Sequence, residues 1–447
     1  MTYGFLGMEH DEILRGQSKA RVKQYQNDVL GWTAALEAAR RFSDGRQCSR
    51  GIGTGLKREA EITGTFNVCY WVDVEGTEWV VRFPLMGMIS DETTLGRMRS
   101  EVATLKFLRT TMVPVPAVIG YYDGNEFPPF MILESIDGIR MNLLWAVDVG
   151  PSIFDRIAKD LARIQLELLS YPSNCIAMLS QSDSVGPYSI DAMEHERDGV
   201  FTKSEPLRSA RTYYNYKRTV WKQRLEDQRN GITSFKDGVR KLLNDYILEQ
   251  SIDSILPCDD EGPFYLVHPD LQSSNIILDR ETFHVKAIID WEGACFLPLA
   301  SSCIPPKALS LVKVPQLSAN SKHYDEYKRR ATRYVEILSQ EEKNRPSTIA
   351  EPMATYLADD SIFLIWALDD VRYVDTVVWQ HLAPRLYPDL LGRVAEVEDN
   401  EDAVEDELAS FAKEHLIYAG LDPESVHIWI MERLGKLSQY DKELDNQ

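Results

Sequence analysis

Long apolar runs are missing from this sequence: nothing approaches the ~18 consecutive apolar residues that a membrane span requires. The opening residues, MTYGFLGMEHDEILRG, lack a basic start followed by an apolar core and reach acids at Glu9 and Asp11. No secretory leader is therefore expected, and a cytoplasmic protein is the expectation. Cysteine is sparse and unpatterned. The six thiols (Cys48, Cys69, Cys175, Cys258, Cys295, Cys303) form no CxxC pair, which argues against a disulfide framework and against a zinc knuckle. Positive charge is in deficit, with 49 Lys and Arg against 69 Asp and Glu and a net charge of −20. A chain so acidic is not expected to bind nucleic acid, whose phosphates need a basic face. The acidity could draw in a cationic substrate or simply keep the protein soluble. Internal repeats and extended low-complexity runs are absent as well.

What is present fits an ordinary globular composition, 44% hydrophobic and 26% charged. A chain of 447 residues has room for two or three cores. Residues 1–55 read as a helical amino-terminal extension, with an amphipathic helix over Gly31–Phe42 and then a Gly/Ser-rich segment, SDGRQCSRGIGTG, expected to be mobile. Residues 56–136 read as β-rich. Phe66–Val74 and Thr77–Phe83 are aromatic and β-branched runs around Glu75-Gly76, which predicts a hairpin. Asp91–Leu108 has helical spacing, with Leu95, Met98, Val102, Leu105 and Leu108 on one face; Pro114 and Pro116 end it, and short strands follow at Ala117–Tyr121 and Phe130–Leu133.

Residues 137–447 read as mostly helical. Periodic segments fall at Ile153–Leu169, Tyr213–Gln250, Tyr324–Leu338, Met353–Val371 and Asp402–Tyr418, interrupted by β-like stretches at Phe264–Val267 and Ile276–Asp290. Strands first and helices later predict an α+β protein of two lobes, a small β-rich one and a larger helical one. The acidic run Glu396–Glu407 reads as a solvated loop or as an interaction surface.

Chemistry concentrates in one stretch. A short apolar run delivers His268 and Asp270 in H-P-D-L-Q-S-S-N, with Asn275 five residues past Asp270; a second apolar run delivers Asp290 in D-W-E, twenty residues past Asp270. Transfer of a phosphoryl group needs a carboxylate to orient and deprotonate the attacking hydroxyl, and Mg²⁺ to neutralise the triphosphate. Mg²⁺ takes a few hard oxygen ligands, which an Asn carbonyl and one carboxylate on neighbouring strands can offer. Asp and Asn also favour ordinary turns, so each motif alone is weak.

Together the two motifs resemble those of the aminoglycoside phosphotransferase family, with its choline-kinase-like and homoserine-kinase-like relatives. The resemblance covers about residues 58–310 and implies a protein-kinase-like fold that uses ATP and Mg²⁺. It implies that Asp270 is the catalytic base, that Asn275 and Asp290 hold the metal, and that His268 braces the loop. By the same resemblance Gly64 and Thr65 lie in the phosphate-covering loop, although one glycine stands where kinases carry three. Arg82 is the basic residue of the third strand, as in the fungal branch of the family, and Glu101 is its helix partner. Phe130–Gly138 is the hinge, with backbone around Glu134–Ile136 meeting adenine. The implied substrate is a small-molecule alcohol or amino alcohol. A kinase-like protein that binds nucleotide without transferring phosphate stays open, supported by the single glycine and Arg82. A protein kinase stays open as well, although no segment closed by A-P-E follows D-W-E. Trp366, Asp369 and Asp370 read either as one wall of a cage for a quaternary amine or, for Trp366, as ordinary core.

Overall fold

The computed structural model of the chain describes residues 23–433 except 27–28, 54–60, 65, 87–90, 146–149, 181–188, 192–204, 227–231, 233, 257–259, 313–315, 318, 320, 344, 346–347, 390–405, 414–421 and 423. Its amino-terminal part is built on a hairpin, β3 (Asn67–Val74) and β4 (Thr77–Pro84). The two turn residues, Glu75 and Gly76, have φ of 51° and 85°, the doubly left-handed geometry that matches strand twist in a tight hairpin. Around the pair a six-stranded antiparallel sheet forms in the order β1 (Cys48–Arg50), β3, β4, β6 (Phe130–Glu134), β5 (Val118–Tyr122), with β2 (Glu61–Thr63) also pairing with β3.

The two-residue period of a strand sorts the side chains of this sheet. Tyr70, Val72, Val81 and Phe83 point to one face, where they pack with Ala35, Ala38 and Ala39 of helix α1 (Trp32–Arg40). Cys69, Trp71, Val80 and Arg82 point to the other face, which is one wall of the cleft described below. The segment expected to be a mobile loop is instead docked onto this sheet. The Gly51 amide donates to Trp71 O at 2.7 Å, and the amides of Ile52 and Gly53 donate to Glu78 Oε1 at 2.8 and 2.9 Å. Those bonds, with the β1 pairing, satisfy backbone groups that would otherwise need water.

Helix α2 (Asp91–Leu108) follows β4 and buries Met98, Val102, Leu105 and Leu108 in the larger core, together with Glu101. The second part is mostly helical: α3 (Pro151–Leu168), α4 (Ala210–Glu226), α5 (Phe235–Ile252), α6 (Lys322–Glu341), α7 (Ala350–Ala358) and α8 (Ser361–Asp369). Two predicted helices divide. Tyr213–Gln250 becomes α4 and α5, with Ser234 Oγ accepting from the Asp237 amide to cap the second. Met353–Val371 becomes α7 and α8, broken at Asp360, whose φ of 60° no α-helix accommodates. Of Asp402–Tyr418, residues 406–413 are helical and the rest lie outside the described residues, as does most of the acidic run 396–407.

Two small sheets position the polar motifs. One runs β10 (Tyr265–Val267), β13 (Cys295–Leu297), β8 (Ala177–Ser180), β9 (Ser189–Asp191); the other runs β12 (Val285–Ile288), β11 (Ile276–Leu278), β7 (Ile139–Arg140). The molecule is thus α+β and two-lobed, with a small antiparallel sheet ahead of a larger helical part. Among the described residues no helix is long and apolar enough to cross a membrane. The described cysteines Cys48, Cys69, Cys175, Cys295 and Cys303 are free thiols.

α8 is buried on nearly every side, and its Phe363 ring stacks flat on His381, 3.7 Å between centroids. Burial pushes the His381 ring down to about 4, with Asp360 pulling it only part of the way back. Below the ordinary histidine value near 6.5 the unfolded chain takes up a proton that the folded chain excludes. The stabilising contribution is therefore complete above that pH and is lost as pH falls towards the folded value. Denaturant unfolding is expected to show about 2 kcal/mol less stability near pH 5 than near pH 7 from this group. His381→Phe should remove most of that difference; an unchanged pH dependence would refute the assignment.

Candidate active site

β10 ends at Val267 and the chain turns through His268–Gln272 into a single turn of 3-10 helix, Ser273–Asn275, before β11. His268 locks this loop. Its Nδ1 accepts from the Asp270 amide at 3.0 Å, so the ring proton sits on Nε2, which donates to Ile289 O at 3.0 Å. Burial holds the ring below its ordinary pKa and keeps it neutral, and Trp291 packs against it at 4.7 Å. One imidazole thereby ties the residue before Asp290 to Asp270. Asn275 adds a second tie: Nδ2 donates to Asp270 O at 2.9 Å, and its backbone oxygen accepts from the Ile289 amide at 2.9 Å. The Asn275 Oδ1 lies on the opposite side of the amide. Asp270 itself accepts from Gln272 Nε2 on Oδ1 at 2.6 Å.

Asp290 has φ of 66°, a left-handed conformation that Asp tolerates better than most residues. Its side chain, 45% exposed, opens into the cleft. Burial alone would raise its pKa; the Arg82 guanidinium, through its charge and hydrogen bond, together with the smaller pulls of His268 and Arg140, holds the carboxyl below the usual carboxylate value.

Arg82 is the hub of the sheet side of the cleft. Nη1 donates to Glu101 Oε1 at 2.6 Å, while Nη2 donates to Asp290 Oδ1 at 2.6 Å and to Glu292 Oε2 at 3.1 Å. The planar fork lets one side chain meet several acids at once, which a lysine ammonium does less well. Glu292 also accepts from Asn67 Nδ2 at 2.8 Å and has Arg97 within 4.0 Å. Burial pushes the Glu101 carboxyl up to about 8, Arg82 offsetting part of that shift and Asp290 and Glu292 adding to it. The guanidinium stays charged, held well above its ordinary value once the three acids outweigh its burial. The guanidinium thus faces two carboxylates, Asp290 and Glu292, while burial favours the neutral form of the third acid, Glu101. The neighbouring Cys69 thiol is pushed up to about 11 by burial, which makes it a poor nucleophile.

These groups border one cavity of about 880 Å³ between the sheet and the helical part, within the size range of small-molecule sites. Gly64, Arg82, Glu134, Ile136, Asp270, Asn275 and Asp290 all line it, whereas Glu101 stands behind Arg82. Thr65 lies outside the described residues. Gly64 closes the β2–β3 connection, its amide donating to Asn67 O at 2.8 Å. Glu134 is clamped to Ala117 from both ends: its amide donates to Ala117 O at 2.9 Å and its Oε2 accepts from the Ala117 amide at 3.1 Å. Gly138 allows the hinge to pass β11, since a Cβ there would sit 2.4 Å from Ile277 Cγ2 and 2.6 Å from Leu278 O.

The motifs did not single out several residues of the cleft. Glu292 was visible only as the end of D-W-E, and Gln272 and Lys307 carried no signal. On α4, Tyr213, Lys217, Val220 and Arg224 form a stripe at helical spacing along the cavity wall; the spacing was legible, but not which face meets the cleft. Trp366 is fully buried against Tyr327 and Phe363, as a core residue would be, and also borders the cavity beside Asp369 and Asp370. Among the described residues no three His, Cys, Asp or Glu side chains form a metal cage. Magnesium requires none, because one or two protein oxygens and the substrate phosphates suffice.

Comparison with known proteins locates this cleft in a family. Among solved structures, the chain is similar to a candidate aminoglycoside phosphotransferase from Ralstonia eutropha JMP134, with 16% identity and a TM-score of 0.45 over 86% of this chain and 98% of that one. It is also similar to the gentamicin complex of APH(2″)-IIa, with 13% identity and a TM-score of 0.44 over 83% and 96% of the two chains. For ADP-bound aminoglycoside phosphotransferase APH(2″)-Ib the values are 14% identity and 0.45 over 84% and 97%. None of the curated proteins matches. The family model of the phosphotransferase enzymes (APH) matches residues 63–301. That match spans more than half of the sequence, from the Gly64 turn to beyond Glu292, and the chain belongs to the phosphotransferase enzyme family.

Proposed function

We propose that this protein transfers the γ-phosphoryl group of ATP to a hydroxyl of a small-molecule alcohol or amino alcohol. The observation that carries the reading is the bracing of Asp270, Asn275 and Asp290 around one cavity through His268. Asp270 is the base. With Oδ1 engaged by Gln272, its second oxygen remains to orient the acceptor hydroxyl and take its proton. Magnesium would be held by Asn275 Oδ1 and the Asp290 carboxylate, and would neutralise charge on the nucleotide phosphates. Adenine would be met at Ile136, since the amides of Glu134 and Ser135 already donate to Ala117 O and Glu78 O. A cavity of about 880 Å³ shared with a nucleotide suits a small acceptor. The chain after Gly293 enters β13 at once and pairs with β8 and β10, which favours a small molecule over a polypeptide docked on a long activation segment.

One contact favours a second reading. Arg82 holds Asp290 at 2.6 Å, an arrangement that a nucleotide-binding protein without transfer activity could keep permanently. Calorimetric titration with MgATP, followed by ATP consumption across small alcohols and amino alcohols, separates the two. Saturable binding with acceptor-dependent ADP release is expected. Binding without turnover on any acceptor would favour the second reading, and no binding would overturn both.

A further inference from the structure

We propose that Lys307 is a further catalytic residue, whose ammonium meets the phosphoryl group during transfer. This rests on the phosphotransfer reading above. In that step the bond from the γ-phosphorus to the β,γ-bridging oxygen breaks and its electron pair leaves with ADP. A bond forms from the acceptor oxygen, and the hydroxyl proton passes to Asp270. Charge shifts over the γ-phosphoryl oxygens and the bridging oxygen, and fixed positive charge placed there lowers the barrier.

The catalytic loop supplies none: residues 268–275 contain neither Lys nor Arg. Arg82 is committed to Glu101, Asp290 and Glu292. On the opposite wall Lys217 Nζ donates to Asp369 O at 3.2 Å. Lys307 lines the same cavity, and its Nζ lies 3.5 Å from Pro269 O, one residue before the proposed base. A lysine ammonium has three N–H donors, so this one long contact leaves two for phosphate oxygens. Its charge also reaches the loop, where it opposes protonation of His268.

The mounting is rigid, as a preorganised electrostatic group requires. Lys307 opens a 3-10 turn, Lys307–Leu309, that packs against Ser273–Asn275. The buried Trp145 donates from Nε1 to Ala308 O at 2.8 Å. The Leu309 amide donates to Pro306 O and the Ser310 amide to Lys307 O, each at 3.0 Å. Upstream, Gln165 Nε2 donates to Ser302 O at 2.6 Å and to Ile304 O at 3.2 Å. The backbone is thus held on both sides of the residue while the ammonium faces the cleft.

The test needs no knowledge of the acceptor. Affinity is measured for MgADP alone and for MgADP with aluminium fluoride, which mimics the transferring phosphoryl group. Lys307→Met is expected to bind MgADP within about twofold of the wild type and the fluoride complex about 100-fold more weakly, in the range seen when one oxyanion-stabilising donor is removed. Lys307→Arg should recover part of the loss. Lys307→Gln provides the same comparison if the methionine variant folds poorly. Equal affinity of wild type and variant for the fluoride complex overturns the assignment while leaving the nucleotide site intact. Failure of the wild type to bind MgADP overturns the phosphotransfer reading, and this inference with it.

Discussion

Asp270→Asn is expected to leave MgATP binding within about twofold of the wild type and to lower turnover by about three orders of magnitude, the scale of a lost general base. The substitution preserves size and lets the amide oxygen keep its bond from Gln272 Nε2, which reaches Asp270 Oδ1 at 2.6 Å. The other arm then becomes an NH₂ group, which can donate to an acceptor hydroxyl but cannot take its proton. The backbone ties to His268 and Asn275 involve the Asp270 amide and carbonyl, so they survive the change. Single-turnover kinetics with any acceptor found by the screen measures the chemical step apart from product release. A loss below about tenfold would move the role of base to another group.

Arg82→Ala should cost about 3–5 kcal/mol of folding stability, the usual consequence of removing one partner from a buried ionic cluster. The guanidinium side chain is 7% exposed and Glu101 is 1% exposed, so water replaces little of what is lost. Glu101, Asp290 and Glu292 would then face one another with Arg97, 4.0 Å from Glu292, and the more distant Arg140 as the cations left beside them. Arg82→Lys should recover only part of the loss, because one ammonium cannot present the planar fork that now reaches three acid side chains. Urea unfolding of the two variants beside the wild type measures both effects. A change under about 1 kcal/mol for the alanine variant would mean that the cluster sheds its charge by protonation instead.

Much of this site was legible because its polar residues stand at fixed intervals between short apolar runs. His268, Asp270 and Asn275 sit in the loop from β10 to β11 and Asp290 in the loop from β12 to β13, and such positions survive without knowledge of the rest of the chain. The β3–β4 hairpin was equally plain, since alternation and Glu75-Gly76 encode it locally. Other elements depend on partners far away in sequence. β13 and β8 are short and largely buried, and Cys295 pairs with Met178 across more than a hundred residues; neither strand has the alternation that would reveal it. Residues 51–53 looked mobile because the carboxylate that fixes two of their amides belongs to Glu78. The break at Asp360 lies between two apolar stretches that each continue the helical rhythm, so periodicity alone ran straight through it. Lys307 follows two prolines and carries no motif. Its place beside the His268–Asn275 loop comes from Trp145 and Gln165, which no local pattern connects to it.

The packing of α1 on the sheet bears on how the chain could be shortened. The family match begins at residue 63, and a recombinant fragment cut there would look complete by that measure. It would lose Ala35, Ala38 and Ala39 from over Tyr70, Val72, Val81 and Phe83, and with them the β1 edge of the sheet. A sheet stripped on one face and opened at one edge is prone to associate with its own kind. The smallest soluble version of this protein should therefore begin ahead of Trp32, some thirty residues before the recognisable family sequence.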